Sequence, residues 1–302
     1  MHSPVQKINP SKHQPIPTAS PHIVPADAPP TRLSDYAQGL FAELSSRKGV
    51  RKAIERGELR VNGAPSRTGY WVQPGDVLTW QPGLRPLPKV FPLDLPVVHQ
   101  DHHLAVIDKP AGLPVSGNRY RTVRHALPHN LPVSPAPGAL PHPLPVHRLD
   151  AQTSGLLLVA RTQPALVALG ELFAQRQVHK TYHALVHGRL PAEGRFEAPL
   201  DELTCLTTYR RLKEVETQPG EWLTWVELHP HTGRTHQLRR HLAGVGCPIL
   251  GDQLYAPGRT VQHKGLFLAA VRLRLTHPIT QQEVSVGLPT PHKLLRRLQR
   301  AR

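Results

Sequence analysis

The chain has 302 residues, with 37 Lys and Arg against 21 Asp and Glu, and a formal net charge of +16. That excess calls for a polyanionic partner, nucleic acid being the usual one, while no apolar run approaches the ~20 residues of a membrane span and no basic helix has a bulky apolar face. Its two cysteines, Cys205 and Cys247, form no C-x-x-C pair, and the 20 histidines are dispersed without H-E-x-x-H spacing, so neither a disulfide framework nor a metal site is expected.

Residues 1–30 hold eight prolines and no periodic apolar pattern. Such a segment cannot bury enough surface to offset its ordering entropy, which predicts a disordered arm. The start, Met1-His2-Ser3-Pro4, lacks the apolar core of a signal peptide and points to a cytoplasmic protein. From Ser34, a candidate N-cap, residues Tyr36, Leu40, Phe41 and Leu44 follow at helical spacing. Ser46 caps a second predicted helix, Arg47 to Arg56, which Gly57 ends. Its apolar stripe is Val50, Ala53 and Ile54, and Arg47, Lys48, Arg51 and Lys52 cover the opposite face. Strands follow at Leu59-Arg60-Val61 and Asp76 to Trp80, the first entering the turn pair Asn62-Gly63.

Gln81 to Pro96 reads as a proline-rich linker. Val97-Val98-His99 and Leu104 to Asp108 form a predicted hairpin that opens a second domain over 97–302. Seven prolines in the 19 residues Leu127 to Pro145 argue against helix or central strand there and predict a surface loop. Next comes His147-Arg148-Leu149-Asp150-Ala151-Gln152-Thr153-Ser154-Gly155, a polar cluster running directly into the apolar stretch Leu156 to Ala160. An apolar run of that length after a glycine predicts a buried strand. One carboxylate beside one arginine at the mouth of such a strand can be held rigidly enough for chemistry; a plain structural contact at a strand end is the alternative.

Gln163 to Gln175 carries Leu166, Leu169, Leu172 and Phe173 at helical spacing, predicting an amphipathic helix on the sheet. Tyr182 to Val186 and Trp222 to Leu228 read as strands, Thr235 to Ala243 as a short helix, and Leu266 to Leu275 and Glu283 to Val286 as closing strands. Strands outnumber helices and β-α-β alternation is missing. The fold class is therefore α+β, a mixed, largely antiparallel sheet with a small N-terminal α/β domain.

The string HRLD-x-x-TSGLLLVA over 147–160 resembles the signature of the RluA-type pseudouridine synthases. Four further segments are similar to that family in the same order: Asp108 to Val115, Lys180 to Gly188, Gly233 to Leu242 and Pro248 to Tyr255. The N-terminal helices and strands, over 31–80, resemble the S-four-type RNA-binding domain named after a small-subunit ribosomal protein. The resemblance implies an RNA pseudouridine synthase that needs no cofactor or metal, and a monomer is taken as the default. Its RNA would be ribosomal, of the large subunit above all, with transfer RNA the alternative. It implies Asp150 as nucleophile, or as the group that removes the ribose C2 proton, and Arg239 as the cation that keeps it ionised.

Tyr182 would lie against the displaced base, stacking and helping to remove the C5 proton. Arg148 would enter the space that an everted uridine leaves, unless it only pairs with a neighbouring acid. Arg47, Lys48, Arg51 and Lys52 would meet phosphates. The competing function is an RNA-binding or ribosome-assembly protein with an inactive synthase domain. A hydrolase using Ser154 lacks the G-x-S-x-G elbow and a histidine partner.

Overall fold

The computed structural model describes residues 20–41, 44–81, 89–256 and 265–300. Two compact units divide the chain, Met1–Pro88 and Lys89–Arg302. The first unit is built from β1 (His22–Ile23), α1 (Leu33–Tyr36), α2 (Arg47–Glu55), β2 (Leu59–Val61), β3 (Ala64–Pro65) and β4 (Val77–Trp80), with sheet order β1-β4-β2-β3.

Residues 20–30, expected within a disordered arm, are ordered: β1 pairs with β4, and Val24 joins a core with Leu33, Val50, Ile54, Leu59 and Leu78. Pro21 and Pro25 flank this strand rather than interrupt it, so its backbone remains free to pair. The rest of that expectation, 1–19, lies outside the described residues. The first helix is also shorter than its spacing predicts. It is a single turn with Ser34 inside it, not at its N-cap, and the left-handed Gly39 (φ +76°) follows its Ala37 C-cap. In α2 the expectation holds, because the Ser46 Oγ accepts the Gly49 N–H at 3.1 Å and caps the helix. Asn62 and Gly63 take positive φ of 51° and 78°, as a two-residue hairpin turn requires.

The second unit contains β5 (Val97–Gln100), β6 (Leu104–Lys109), α3 (Val123–Asn130), β7 (Ala139–Pro145), β8 (Ser154–Thr162), α4 (Gln163–Ala174), β9 (His179–His187), β10 (Glu193–Phe196), β11 (Thr207–Gln218), β12 (Glu221–Pro230), α5 (Gln237–Gly244), β13 (Leu268–Thr276), β14 (Glu283–Gly287) and α6 (His292–Gln299). Among the described residues these strands form one sheet in the order β10-β11-β12-β9-β13-β8-β6-β5, with β14 on β13 and β7 on β8. Every pairing is antiparallel except β13 with β8, which run parallel through Ala269–Ser154 and Ala270–Gly155.

Strand β8 explains the sheet's position. Its alternate residues enter different cores: Leu157 and Val159 pack with α3, α5 and α6, whereas Leu156, Leu158 and Ala160 pack with α4. A strand covered on both faces must be apolar throughout, which is why Leu156 to Ala160 shows no alternation. Of the stretch 81–96 read as linker, 82–88 lie outside the described residues. Residues 89–96 belong with the second unit: the Phe91 N–H donates to the His125 carbonyl at 2.9 Å, and Leu95 is buried in its core.

The loop expected over 127–145 is corrected as well. Its start completes α3, with Pro128 near the helix end, and its last seven residues are β7. The prolines are admitted because β7 pairs on one side alone. It meets β8 through Ala139, Leu144 and Pro145, and the register breaks where Pro141 and Pro143 fall. Among the described residues no helix is long and apolar enough to cross a membrane.

Candidate active site

Asp150 hangs from the short loop between β7 and β8, and backbone contacts fix that loop on both sides. The Thr153 N–H donates to the Asp150 carbonyl at 3.0 Å, and the Gly112 N–H to the Ala151 carbonyl at 2.7 Å. Lys109, with no exposed surface, reaches up from β6 and spreads its ammonium over the carbonyls of Pro110 (2.8 Å), Leu113 (2.8 Å) and Ala151 (3.0 Å). Those three acceptors match the three N–H bonds of a charged lysine. Burial pushes the Lys109 pKa down to about 8, opposed by the charges of Asp150 and Asp108.

One rung of paired residues crosses the sheet below this loop: Lys109, Gly155, Ala270, Tyr182, Leu228, Tyr209. At Gly155 the rung admits no side chain. Its φ is +106°, and a Cβ would lie 2.1 Å from the Ala270 carbonyl oxygen. The rung thus brings Tyr182 of β9 and the loop before β8 together across a seam closed by backbone alone. Tyr182 is buried; desolvation first, and then the Asp150 charge, hold its phenol well above the usual tyrosine range. It is a protonated ring at neutral pH.

Helix α5 supplies the cation. Gln237 is buried at its start and ties down the preceding loop, its Oε1 accepting from the Thr232 hydroxyl (2.8 Å) and the Arg234 N–H (3.0 Å). His236, left-handed at φ 54°, lets the chain turn into the helix. One turn later Arg239 points inward. Its Nε and Nη2 donate to the two carboxylate oxygens of Asp252 at 2.7 and 2.8 Å, and its Nη1 lies 3.8 Å from Asp150 Oδ2. Burial opposes the Arg239 charge, but Asp252, and after it Asp150, outweigh that effect and hold the guanidinium charged. His236 approaches the other side of Asp150, Nε2 to Oδ1, at 3.8 Å, while its Nδ1 meets the Tyr255 hydroxyl at 3.0 Å. Tyr255 also lies 5.0 Å from the Arg239 guanidinium, face on.

These groups line a cleft of about 890 Å³. Asp150 is the one acid among its lining residues, against Arg148, Arg176, Lys180, Arg234 and Arg239 and five histidines. One carboxylate in a cationic cleft suits a polyanionic substrate that is to be attacked at an electron-poor centre.

Of the residues expected from sequence, the structure brings Asp150, Tyr182 and Arg239 into this cleft, and Arg148 lies exposed at its lip. The Arg148 side chain makes no hydrogen bond or ion pair among the described residues. Arg47, Lys48, Arg51 and Lys52 belong to the first unit, exposed along α2, and Arg47 pairs with Asp35 at 2.6 Å. Sequence reasoning gave no role to Asp252, His236 or Lys109. All three stand inside the segments that resemble the family, so their positions were marked while their contacts were not.

A cationic cleft around a single carboxylate suits an enzyme that handles a polyanion. Residues 103–244 match the family model described as RNA pseudouridylate synthase. A ribosomal large subunit pseudouridine synthase D of Xanthomonas campestris is 33% identical over 307 residues, covering 91% of this chain and 90% of the relative. A tRNA pseudouridine synthase C of Pasteurella multocida is 35% identical over 228 residues, covering 64% of this chain and 90% of its own. Among solved structures, human RNA pseudouridylate synthase domain containing 4 superposes with a TM-score of 0.56 at 28% identity, over 68% of this chain and 92% of that one. The chain belongs to the RNA pseudouridine synthases, enzymes that isomerise uridine to pseudouridine within RNA.

Proposed function

We propose that this enzyme isomerises uridines of large-subunit ribosomal RNA, with Asp150 as the nucleophile. The observation that carries the assignment is the solitary Asp150 carboxylate in a cationic cleft, with Arg239 at 3.8 Å on one side and His236 at 3.8 Å on the other. A carboxylate can capture the ribose anomeric carbon as the bond to base N1 breaks, the base departing as an anion. The base then turns within the cleft and bonds the same carbon through C5, expelling the carboxylate. The C5 proton is lost and N1 gains one, so no atom is added and no electron is transferred overall.

Tyr182 lies against the base as a neutral phenol during the attack. Once Asp150 is esterified its charge is gone, and with it one of the two effects that keep the phenol protonated. The phenol then gives up its own proton more readily and can take the C5 proton in its place, relaying one proton without a net gain. Arg148 fills the gap left by the everted nucleotide. The first unit acts as an RNA-binding module of the S-four type, its exposed Arg47, Lys48, Arg51 and Lys52 meeting phosphates. Ribosomal RNA is favoured because the relative matched over 91% of this chain is named for the large subunit. The relative named for transfer RNA matches 64%, a share that the second unit alone can supply.

The test uses large-subunit and transfer RNA transcripts labelled with tritium at uridine C5. The unmodified protein should release tritium from the ribosomal transcript, and Asp150→Ala should abolish release while changing RNA affinity by less than about threefold. Release from the transfer RNA alone overturns the target, and equal release by Asp150→Ala overturns the nucleophile.

A further inference from the structure

Two cations that line the cleft, Lys180 and Arg176, have no anionic partner among the described residues. Lys180 is half-buried on β9, two residues before Tyr182 and on the same side of the strand. Its ammonium has no hydrogen bond and no acid partner among those residues; the Phe173 ring, 6.0 Å away, is its nearest favourable contact. Burial alone pulls its pKa down. A desolvated ammonium left unpaired is costly, and an anion brought by a ligand would offset that cost.

Arg176, just past the end of α4, lines the same cleft. The helix closes with paired return bonds, Arg176 N–H to the Phe173 carbonyl at 3.2 Å and Gln177 N–H to the Leu172 carbonyl at 2.8 Å. That closure places Arg176 at φ +61°, the left-handed position that glycine normally fills. An arginine there strains the backbone, and its side chain does nothing to offset the strain. It is exposed, lines the cleft, and has no hydrogen bond or ion pair among the described residues. A strained position retained with a charge facing a cleft points to a ligand.

We propose that Arg176 and Lys180 together grip a backbone phosphate of the RNA next to the everted uridine, and so set the depth at which that nucleotide enters. The spacing suits the task, since Tyr182 faces the base while Lys180, one alternation earlier on β9, reaches the sugar-phosphate side. His179 and His231, both exposed, also line the cleft. The inference rests on the reading that the cleft receives an RNA uridine.

The experiment compares Arg176→Gly, Lys180→Met and Lys180→Arg with the unmodified protein, using a large-subunit ribosomal RNA transcript carrying tritium at uridine C5. RNA affinity is measured at several salt concentrations, tritium release in single turnovers, and stability by thermal melting. Lys180→Met should weaken binding about tenfold and flatten the slope of log affinity against log salt by about 0.7–0.9, the change expected when one phosphate fewer is neutralised. Lys180→Arg should restore most of that slope. Arg176→Gly should bind more weakly, with the same flattening, yet melt about 2 °C higher because the strain is relieved. A structural role would instead lower stability and leave the slope alone. Unchanged salt slopes in both Arg176→Gly and Lys180→Met overturn the proposal. An unmodified protein that binds no RNA overturns the reading of the cleft beneath it.

Discussion

Asp252 is the group whose removal tests the electrostatic argument most sharply. Its side chain has no exposed surface and accepts four hydrogen bonds: two from Arg239 at 2.7 and 2.8 Å, one from the Leu254 N–H at 3.0 Å and one from the Tyr255 N–H at 3.1 Å. Asp252→Asn keeps the shape but leaves the buried Arg239 without its principal anion. Breaking a buried pair from one side costs about 3–5 kcal/mol. For a domain of this size each kcal/mol moves the melting temperature by about 2–4 °C, so a fall of about 6–20 °C is expected. Function should suffer too, because the freed guanidinium has one other acid within reach, Asp150 at 3.8 Å. Drawn into a tight pair, Asp150 would be a poorer and misaligned nucleophile, and single-turnover tritium release should fall at least tenfold.

Urea denaturation and tritium release on the same preparations read both effects. Arg239→Met combined with Asp252→Leu should recover much of the stability without recovering activity, since an apolar replacement of both partners leaves no buried charge. An Asp252→Asn protein within about 1 kcal/mol of the original, and equally active, would refute this account of how Arg239 is held.

Lys109→Met strands three buried carbonyls and should cost about 3 kcal/mol or more in urea denaturation, each unsatisfied acceptor costing ~1–3 kcal/mol. Gly155→Ala places a Cβ 2.1 Å from the Ala270 carbonyl oxygen and should leave little soluble protein, whereas Gly112→Ala, also left-handed but facing open space, should lose only about 1 kcal/mol. Burial, followed by the Lys180 charge, pushes the His147 pKa down to about 3, and its neutral Nε2 accepts the Leu158 N–H at 3.0 Å. The unfolded chain therefore binds the extra proton between pH 6.5 and 3, so stability is full above 6.5 and falls as pH drops through that window. By pH 4 the loss should reach about 3 kcal/mol, and His147→Gln should remove that part of the slope in denaturation measured at pH 7 and pH 4. Replacing Lys48, Arg51 and Lys52 of α2 with alanine should flatten the salt dependence of RNA binding by about 2 and leave single-turnover chemistry at saturating protein unchanged.

Where one local signal decides the structure, the chain could be read directly. The Ser46 cap, the Asn62-Gly63 turn, the β5–β6 hairpin and the uninterrupted apolar β8 all follow from such signals. The short α1 did not, because its apolar spacing runs on past Ala37 and the left-handed Gly39, where the chain has already left the helix. Strand β7 was hidden because proline frequency argues against strands in general, while what matters is whether each proline faces a paired neighbour. Residues 20–30 were misjudged for the same reason. Strand β11 was not assigned from sequence, because its stretch Arg210-Arg211-Leu212-Lys213-Glu214 is charged and largely half-buried, with no apolar alternation. At the site, motif resemblance singled out Asp150, Tyr182 and Arg239, which the structure brings into one cleft. Asp252 was not assigned, since its pairing with Arg239 depends on how a loop closes and leaves no periodic trace. Arg176 was missed because a left-handed helix end is usually announced by glycine.

The lone parallel pairing between β8 and β13 has a consequence beyond holding the sheet together. The acid is carried by the chain on one side of that pairing, and Tyr182 and Arg239 by the chain on the other. Their separation is gauged by the close approach of Gly155 to Ala270, so any shift of β13 away from β8 would move the halves apart. Such a change would alter turnover without touching a group that meets the RNA.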